Sequence, residues 1–280
     1  WVLARACNHW AQPKRAAEAV FVAQRGFEEL NDRAWIAACE WQSNALAWTK
    51  PDFAESVRGL KEALPNLPPE FVPPCRLALA FAQILIGDHS AAHWYQAHGD
   101  EVNRARCWLT LASSLRRQDR FDEAFQTLHR ALQVFEQENA LTDQARAHYQ
   151  IALGHLLQAD QLPQSVDRFQ RAIALFEVTD LDLWRGMCLN NLGSVYLHTG
   201  ELTQANHYYR EAGEIFARHG IRGLLADNLH DQGELNTLRG LPQASIKLFS
   251  RSAEINEKLG SQLSAAGVIT NLGKAYGQSG

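Results

Sequence analysis

Three glycines, Gly193, Gly233 and Gly273, recur at a step of 40 residues, each inside a related hexapeptide. The first and third read Asn191-Leu192-Gly193-Ser194-Val195-Tyr196 and Asn271-Leu272-Gly273-Lys274-Ala275-Tyr276, with Asp231-Gln232-Gly233-Glu234-Leu235-Asn236 between them. A second series keeps the step: Gly200, Gly240 and Gly280 follow one helical segment of each unit, and Gly220 and Gly260 follow the other. A period of this length restricts the chain to one supersecondary unit repeated, because each unit buries its apolar face only against its neighbours.

The residue types around these marks predict a pair of antiparallel helices per unit. Two helices that cross closely need small residues at the contact and large apolar ones around it. Gly193 with Ala205 and Ala212 supplies the small set, and Leu192, Tyr196 and Tyr209 the large one. The next unit repeats the order as Gly233, Ser245 and Ser252 beside Phe249. Glycines placed after each helix suit left-handed C-terminal caps, which need a residue without Cβ.

The same pattern extends upstream. Trp108, Leu111, Ala112 and Leu115 predict a first helix, and Ala124, Leu128 and Ala131 a second. The following unit reads Leu153, Gly154 and Leu157, then Ser165, Phe169 and Ala172, with one residue fewer in the turn and Pro163 in the first turn of its second helix. Before residue 103 the compatible spacings are Leu79 and Ala80 with Ala92, then Ser56, Leu60 and Ala63, then Leu3, Ala4 and Cys7 with Ala16, Val20 and Ala23. Cys39, Cys75, Cys107 and Cys188 each stand five residues before the small residue of their unit, or before its equivalent Asn44. Pro65, Pro68, Pro69, Pro73 and Pro74 interrupt this array, since proline removes amide donors and restricts the residue before it.

Composition excludes several classes of function. A formal net charge of -4 argues against nucleic acid as a partner, because phosphate binding draws on a clustered excess of Lys and Arg. No apolar run approaches the roughly 20 residues of a membrane-spanning helix, and the first residues lack a signal-peptide layout, so the expected location is the cytoplasm. Five dispersed cysteines without a Cys-x-x-Cys pair read as reduced, buried thiols. The chain starts without Met and is expected to be one part of a longer protein.

The pattern of Trp or Leu, Leu-Gly or Ala, Tyr or Leu, Ala or Ser, an aromatic or Leu, and Ala resembles the tetratricopeptide repeat (TPR), most sharply over residues 103 to 280. The 40-residue unit is similar to the subclass found in kinesin light chains, spindle-orientation adaptors, and bacterial proteins that join such repeats to caspase-like CHAT domains or sensor ATPases. The resemblance implies an all-α fold, a right-handed α-α superhelix (TPR solenoid) of about seven helix pairs plus a terminal helix. It divides the chain into degenerate repeats over 1–64, a proline-rich break with one degenerate repeat over 65–102, and a regular array over 103–280 that continues beyond the chain end.

In that subclass an asparagine before Leu-Gly contacts a bound peptide; Asn191 and Asn271 match it, Asp231 departs, and Thr110 and Ala152 lack the amide. The row is therefore expected to be broken, which weighs against capture of an extended peptide. The first helix of each unit faces the concave side in such a stack, so Asn190, Asn191, Ser194 and His198, then Asp227, His230, Asp231 and Glu234, then Asn271 and Lys274 are expected to line the groove. That surface is polar with an acidic centre. Arg106, Arg116 and Arg117 add a basic stretch, and Trp41, Trp48, Leu77, Phe81 and Ile84 an apolar one. Solvation alone explains most exposed helical charges, and packing between repeats accounts for the tryptophans as well as partner contact does.

Chemistry has little to work with. His230, Asp227, Asp231 and Glu234 share a helical face at spacings able to hold a metal, but no second histidine lies near, so no metal site is expected. The cysteines sit at core positions that suppress thiolate formation, the His-Gly pairs at His98 and His219 read as helix ends, and no phosphate-binding glycine loop is present. No cofactor and no catalysis are expected. Two roles follow: a scaffold that binds a protein or peptide in its groove, or a regulatory arm that docks on another domain of its own full-length chain, a CHAT protease or a signalling ATPase.

Overall fold

The computed structural model describes residues 53–279 apart from 68, 70, 71, 89, 159, 160, 260 and 261; the repeats expected before residue 53, with Trp41, Trp48 and Cys39, lie outside the described residues. Helices run between points where the backbone turns left-handed. Gly87, Gly99, Gly200, Gly220 and Gly240 have φ of +67° to +86°, and Asp119, Asn139 and Asp180 take the same role at +52° to +59°. After Gly200, Gly220 and Gly240 the next amide reaches back five residues, Glu201 to Tyr196, Ile221 to Phe216 and Leu241 to Asn236, at 2.8, 3.0 and 2.9 Å. This is the Schellman closure that ends a helix and reverses the chain.

Two compact units divide at Glu138 and Asn139. In unit 1, helix α1 (Phe53–Ala63) leads through a 3-10 turn at Leu64–Asn66 to α2 (Val72–Leu85), α3 (Ser90–Ala97), α4 (Glu101–Arg117) and α5 (Phe121–Gln137). Ala80, Ile84, Tyr95 and Cys107 form one of its cores. Ile84, expected on the groove, is therefore a core residue, because it falls on the flank of α2 that faces α3 and α4. The Asp100 carboxylate accepts from Asn103 N at 3.0 Å and caps α4.

Unit 2 holds α6 (Leu141–Leu157), α7 (Leu162–Val178), α8 (Asp182–His198), α9 (Leu202–Arg218), α10 (Arg222–Leu238), α11 (Pro242–Leu259) and α12 (Gln262–Ser279). These are three antiparallel pairs followed by α12. The first helices α6, α8, α10 and α12 touch in succession and so present one shared inner face. No strand occurs among the described residues, and no helix there is long and apolar enough to cross a membrane.

One expected register is corrected. Four residues separate α6 from α7, against three between α8 and α9, so the turn is one residue longer rather than shorter. The small residue of α6 is then Ala152, not Gly154; Ala152 and Ser165 are fully buried, and Ser165 Oγ donates to the Ala152 carbonyl at 2.9 Å.

Within each pair a large side chain of the second helix presses on the small residue of the first. A Cβ built on Gly193 would lie 2.7 Å from the Tyr209 ring, and one on Gly233 2.5 Å from the Phe249 ring. Both rings are about 1% exposed, so neither has room to move. On Gly273 a Cβ meets nothing within 4 Å. Gly193→Ala and Gly233→Ala should each lose about 1–3 kcal/mol in urea unfolding through overpacking, whereas Gly273→Ala should gain up to about 1 kcal/mol of helix propensity.

Candidate functional site

On the inner face of unit 2 the expected residues meet as rungs between successive first helices. Asn191 Nδ2 on α8 donates to the Tyr149 hydroxyl on α6 at 3.4 Å. Asn190 Nδ2 on α8 donates to Asp231 Oδ2 on α10 at 2.8 Å. Asn271 Nδ2 on α12 donates to His230 Nε2 and to Glu234 Oε1 on α10, each at 2.9 Å. Tyr149, Asn190 and His230 occupy the same position of their helices, and Asn191, Asp231 and Asn271 the next one along. Each rung therefore links one repeat position to its successor in the following repeat.

The corrected register also moves the position equivalent to Asn191 from Ala152 to Gln150. That row reads Gln150, Asn191, Asp231 and Asn271, so an amide is present in α6 after all. Ser194 accepts from the Tyr209 hydroxyl at 3.1 Å, Lys274 Nζ donates to Asn271 Oδ1 at 3.3 Å, and His198 is exposed at the end of α8. Arg106, Arg116 and Arg117 lie on α4 of unit 1, where Arg106 Nη1 donates to Asn103 Oδ1 at 2.9 Å.

Asn228, absent from the expected set, is the hub behind this face. It is fully buried, donates from Nδ2 to Asn190 Oδ1 at 2.7 Å and to the Tyr209 carbonyl at 2.8 Å, and accepts from Gln232 Nε2 at 2.7 Å. Gly213 makes room for it, since a Cβ there would come within 2.6 Å of Asn228 Oδ1. Two departures in the sequence signal the pair. Asn228 stands where other repeats place Cys107 or Cys188, and Gly213 stands where they place Leu132 or Ile173.

The acidic centre forms around His230. Its Nδ1 lies 3.7 Å from Asp231 Oδ1 and its Nε2 3.8 Å from Glu234 Oε1. The Asp231 carboxylate raises the imidazole pKa most; burial opposes the rise, and Glu234 and Asp227 add to it. Asp227 touches water, yet surrounding protein displaces enough solvent to push its carboxyl upward, reinforced by Asp231 and countered by His230. His230, Asp231 and Glu234 can offer ligand atoms within 4.8 Å of one another. The two carboxylates nevertheless face different ring nitrogens, and Nε2 already accepts from Asn271 Nδ2, an arrangement that does not converge on one metal position.

Elsewhere the groups with chemical potential are occupied. Cys75, Cys107 and Cys188 are free, buried thiols; burial pushes Cys75 and Cys107 up to about 12 and Cys188 upward as well. His98 stacks on Trp94 with ring centroids 3.8 Å apart, and His219 Nε2 lies 3.0 Å from Asp182 Oδ2. A cavity of about 470 Å³ in unit 1 is lined by Leu111, Ser114, Gln118, Thr127 and the exposed pair Arg120 and Glu123.

Repeated helix pairs with a polar inner face define a solenoid-type binding module. The family model described as tetratricopeptide repeat matches residues 103–178 and 143–218, and those residues carry tetratricopeptide repeats. A search of curated protein sequences finds no match. Among solved structures, the chain is similar to a signal transduction ATPase with a tetratricopeptide repeat sensor from Pyrococcus horikoshii, with TM-score 0.64 and 12% identity, covering 93% of this chain and 43% of that one. A Rap protein complexed with competence and sporulation factor gives TM-score 0.61 at 16% identity, covering 95% and 81%. A putative kinesin light chain of nearly identical TPR-like repeats from Podosopora anserina gives 0.54 at 16%, covering 63% and 86%. These likenesses are of fold.

Asn228→Ala should lower the unfolding free energy by about 2–3 kcal/mol, because two acceptors then lose their buried donor. His230 predicts a pH effect. Its folded pKa is raised above the unfolded value of about 6.5, so its stabilisation is complete below that value and fades as pH climbs through the folded pKa. Urea unfolding between pH 6 and 9 should therefore fall more steeply with pH for the parent chain than for His230→Asn.

Proposed function

We propose that the inner face of unit 2 is a non-catalytic protein-binding surface that receives a protein or peptide segment. The observation that supports it is the row of half-exposed polar side chains, Asn190, Asn191, Asp231, His230, Glu234 and Asn271, held by inter-helix hydrogen bonds at a regular step. Side chains already fixed lose little further freedom when a partner arrives. Asp227 is exposed and holds no hydrogen bond among the described residues, which leaves its carboxylate available to a donor on the partner. Ser194, His198 and Lys274 extend the same face, and Arg106, Arg116 and Arg117 offer a separate basic surface on unit 1. The module works in the cytoplasm on this reading, without nucleic acid, membrane or cofactor.

A second reading makes the chain a regulatory arm that docks on an enzyme or sensor domain of its own longer protein, a CHAT protease or a signalling ATPase. It is favoured by the likeness to an ATPase whose repeats are described as a sensor and of which this chain spans 43%.

Asp227→Lys with Glu234→Lys tests both. Affinity capture with the 280-residue chain should lose its partner in the double variant while the melting temperature shifts by less than about 4 °C; retained capture refutes the inner-face site. In the full-length protein, a changed basal activity of a linked catalytic domain, with no separate partner captured, decides for the regulatory arm.

A further inference from the structure

Helix α3 has 8 residues, whereas α5, α7, α9 and α11, the second helices that follow it, have 17 or 18. At about 1.5 Å per residue it spans about 12 Å against about 25 Å for the others. Three residues join α3 to α4, so α3 lies beside the first half of α4 and stops short of the second. The cavity of about 470 Å³ opens at that second half: α2, the turn at Gly87, α4 and α5 line it, and no residue of α3 does.

Its walls differ in kind from surfaces that receive a helix. Two residues past the small contact of their helices, Gly154, Val195, Leu235 and Ala275 are buried, while Ser114 at the same position of α4 is half-buried and lines the cavity. Ile84 and Leu115, 3% and 6% exposed, form an apolar floor with Leu111. Charge enters from α5 and the residue before it. Arg120 and Glu123 neutralise each other through two hydrogen bonds of 2.7 and 2.6 Å. Arg130 has no carboxylate partner among the described residues; its guanidinium lies over the Trp108 ring, 4.6 Å from the centroid, a contact that positions the charge without neutralising it. Gln126 stands one turn before it on the same wall. A guanidinium beside a side-chain amide offers the set of N–H donors that a planar carboxylate fits.

We infer that this cavity is a binding site for a small monocarboxylate with an apolar body, its carboxylate on Arg130 and Gln126 and its body over Ile84, Leu111 and Leu115. The volume falls within the range of about 300–1,000 Å³ usual for small-molecule sites. The site shares no residue with the inner face of unit 2 and does not depend on the role proposed there.

The test titrates 4-phenylbutyrate and its uncharged counterpart, 4-phenylbutyramide, into the 280-residue chain by calorimetry. The acid is expected to saturate with a dissociation constant below about 1 mM, and the amide to bind about tenfold or more weakly. Arg130→Gln should remove that difference; Arg130 is exposed at the rim, so its replacement leaves the core intact. Ser114→Leu, which copies the side chain of Leu235 into the cavity, should abolish binding of both compounds, with thermal melting as the check that each variant stays folded. Absence of saturation by the acid up to about 10 mM overturns the proposal. Equal affinities of acid and amide overturn it too, as does an acid affinity unaltered by either substitution. A peptide ending in Phe that binds about tenfold or more tightly than the acid, and loses that advantage on C-terminal amidation, assigns the cavity to a protein terminus and equally overturns it.

Discussion

The contact between a ring on one helix and a bare glycine on its partner governs the pairs α8–α9 and α10–α11 of unit 2. With Tyr209 against Gly193 and Phe249 against Gly233, the axes of each pair come closer than any Cβ would allow. That closeness fixes how the second helix lies on the first, and hence where the next first helix begins. Tyr209 shows the reach of this constraint: its ring closes the pair, its hydroxyl donates to Ser194, and its carbonyl receives Asn228 from α10. Packing at one position thus sets polar geometry two helices away.

The inner face inherits its regularity from that packing. Because α6, α8, α10 and α12 follow one another at nearly constant offset, a side chain at one position repeatedly meets its neighbour's next position, and amides and carboxylates there find partners. These bonds constrain the face before any ligand is present. Asn190, Asn191 and Asn271 serve the stack first; on the binding role proposed for this face, a ligand would compete with or add to bonds already made, with the Asp227 carboxylate open to it.

Much of this was legible in the residues. The 40-residue step, the small and large positions and the turns at Gly200, Gly220 and Gly240 follow from backbone and volume requirements that act locally, and the family and all-α repeat fold rest on them. The register of α6 is not legible in the sequence because Gly154 imitates the glycine of later repeats, whereas Ala152 occupies the contact; a glycine is informative only where a neighbour presses on it. The buried place of Asn228 is not legible in the sequence, since a polar residue in a helix normally belongs to the surface. Its significance emerges only when it is aligned with Cys107 and Cys188, and Gly213 with Leu132 and Ile173. Which groove residues bond one another was out of reach, since it depends on offsets between helices that periodicity alone does not encode.

The Asn228–Gly213 substitution has a consequence for how such an array can change over generations. Repeats of equal length invite duplication and loss, as beads might be added to a string. Removing the 40 residues from 174 to 213 would bring Ile173 beside Asn228, setting a branched hydrocarbon against a buried amide whose side-chain acceptor, Asn190, had left with the excised segment. The α9–α10 junction is therefore keyed: helices on either side of it are interchangeable in outline but not in chemistry. An array bearing such a key drifts by point substitution more readily than by shuffling, and its repeats keep their order.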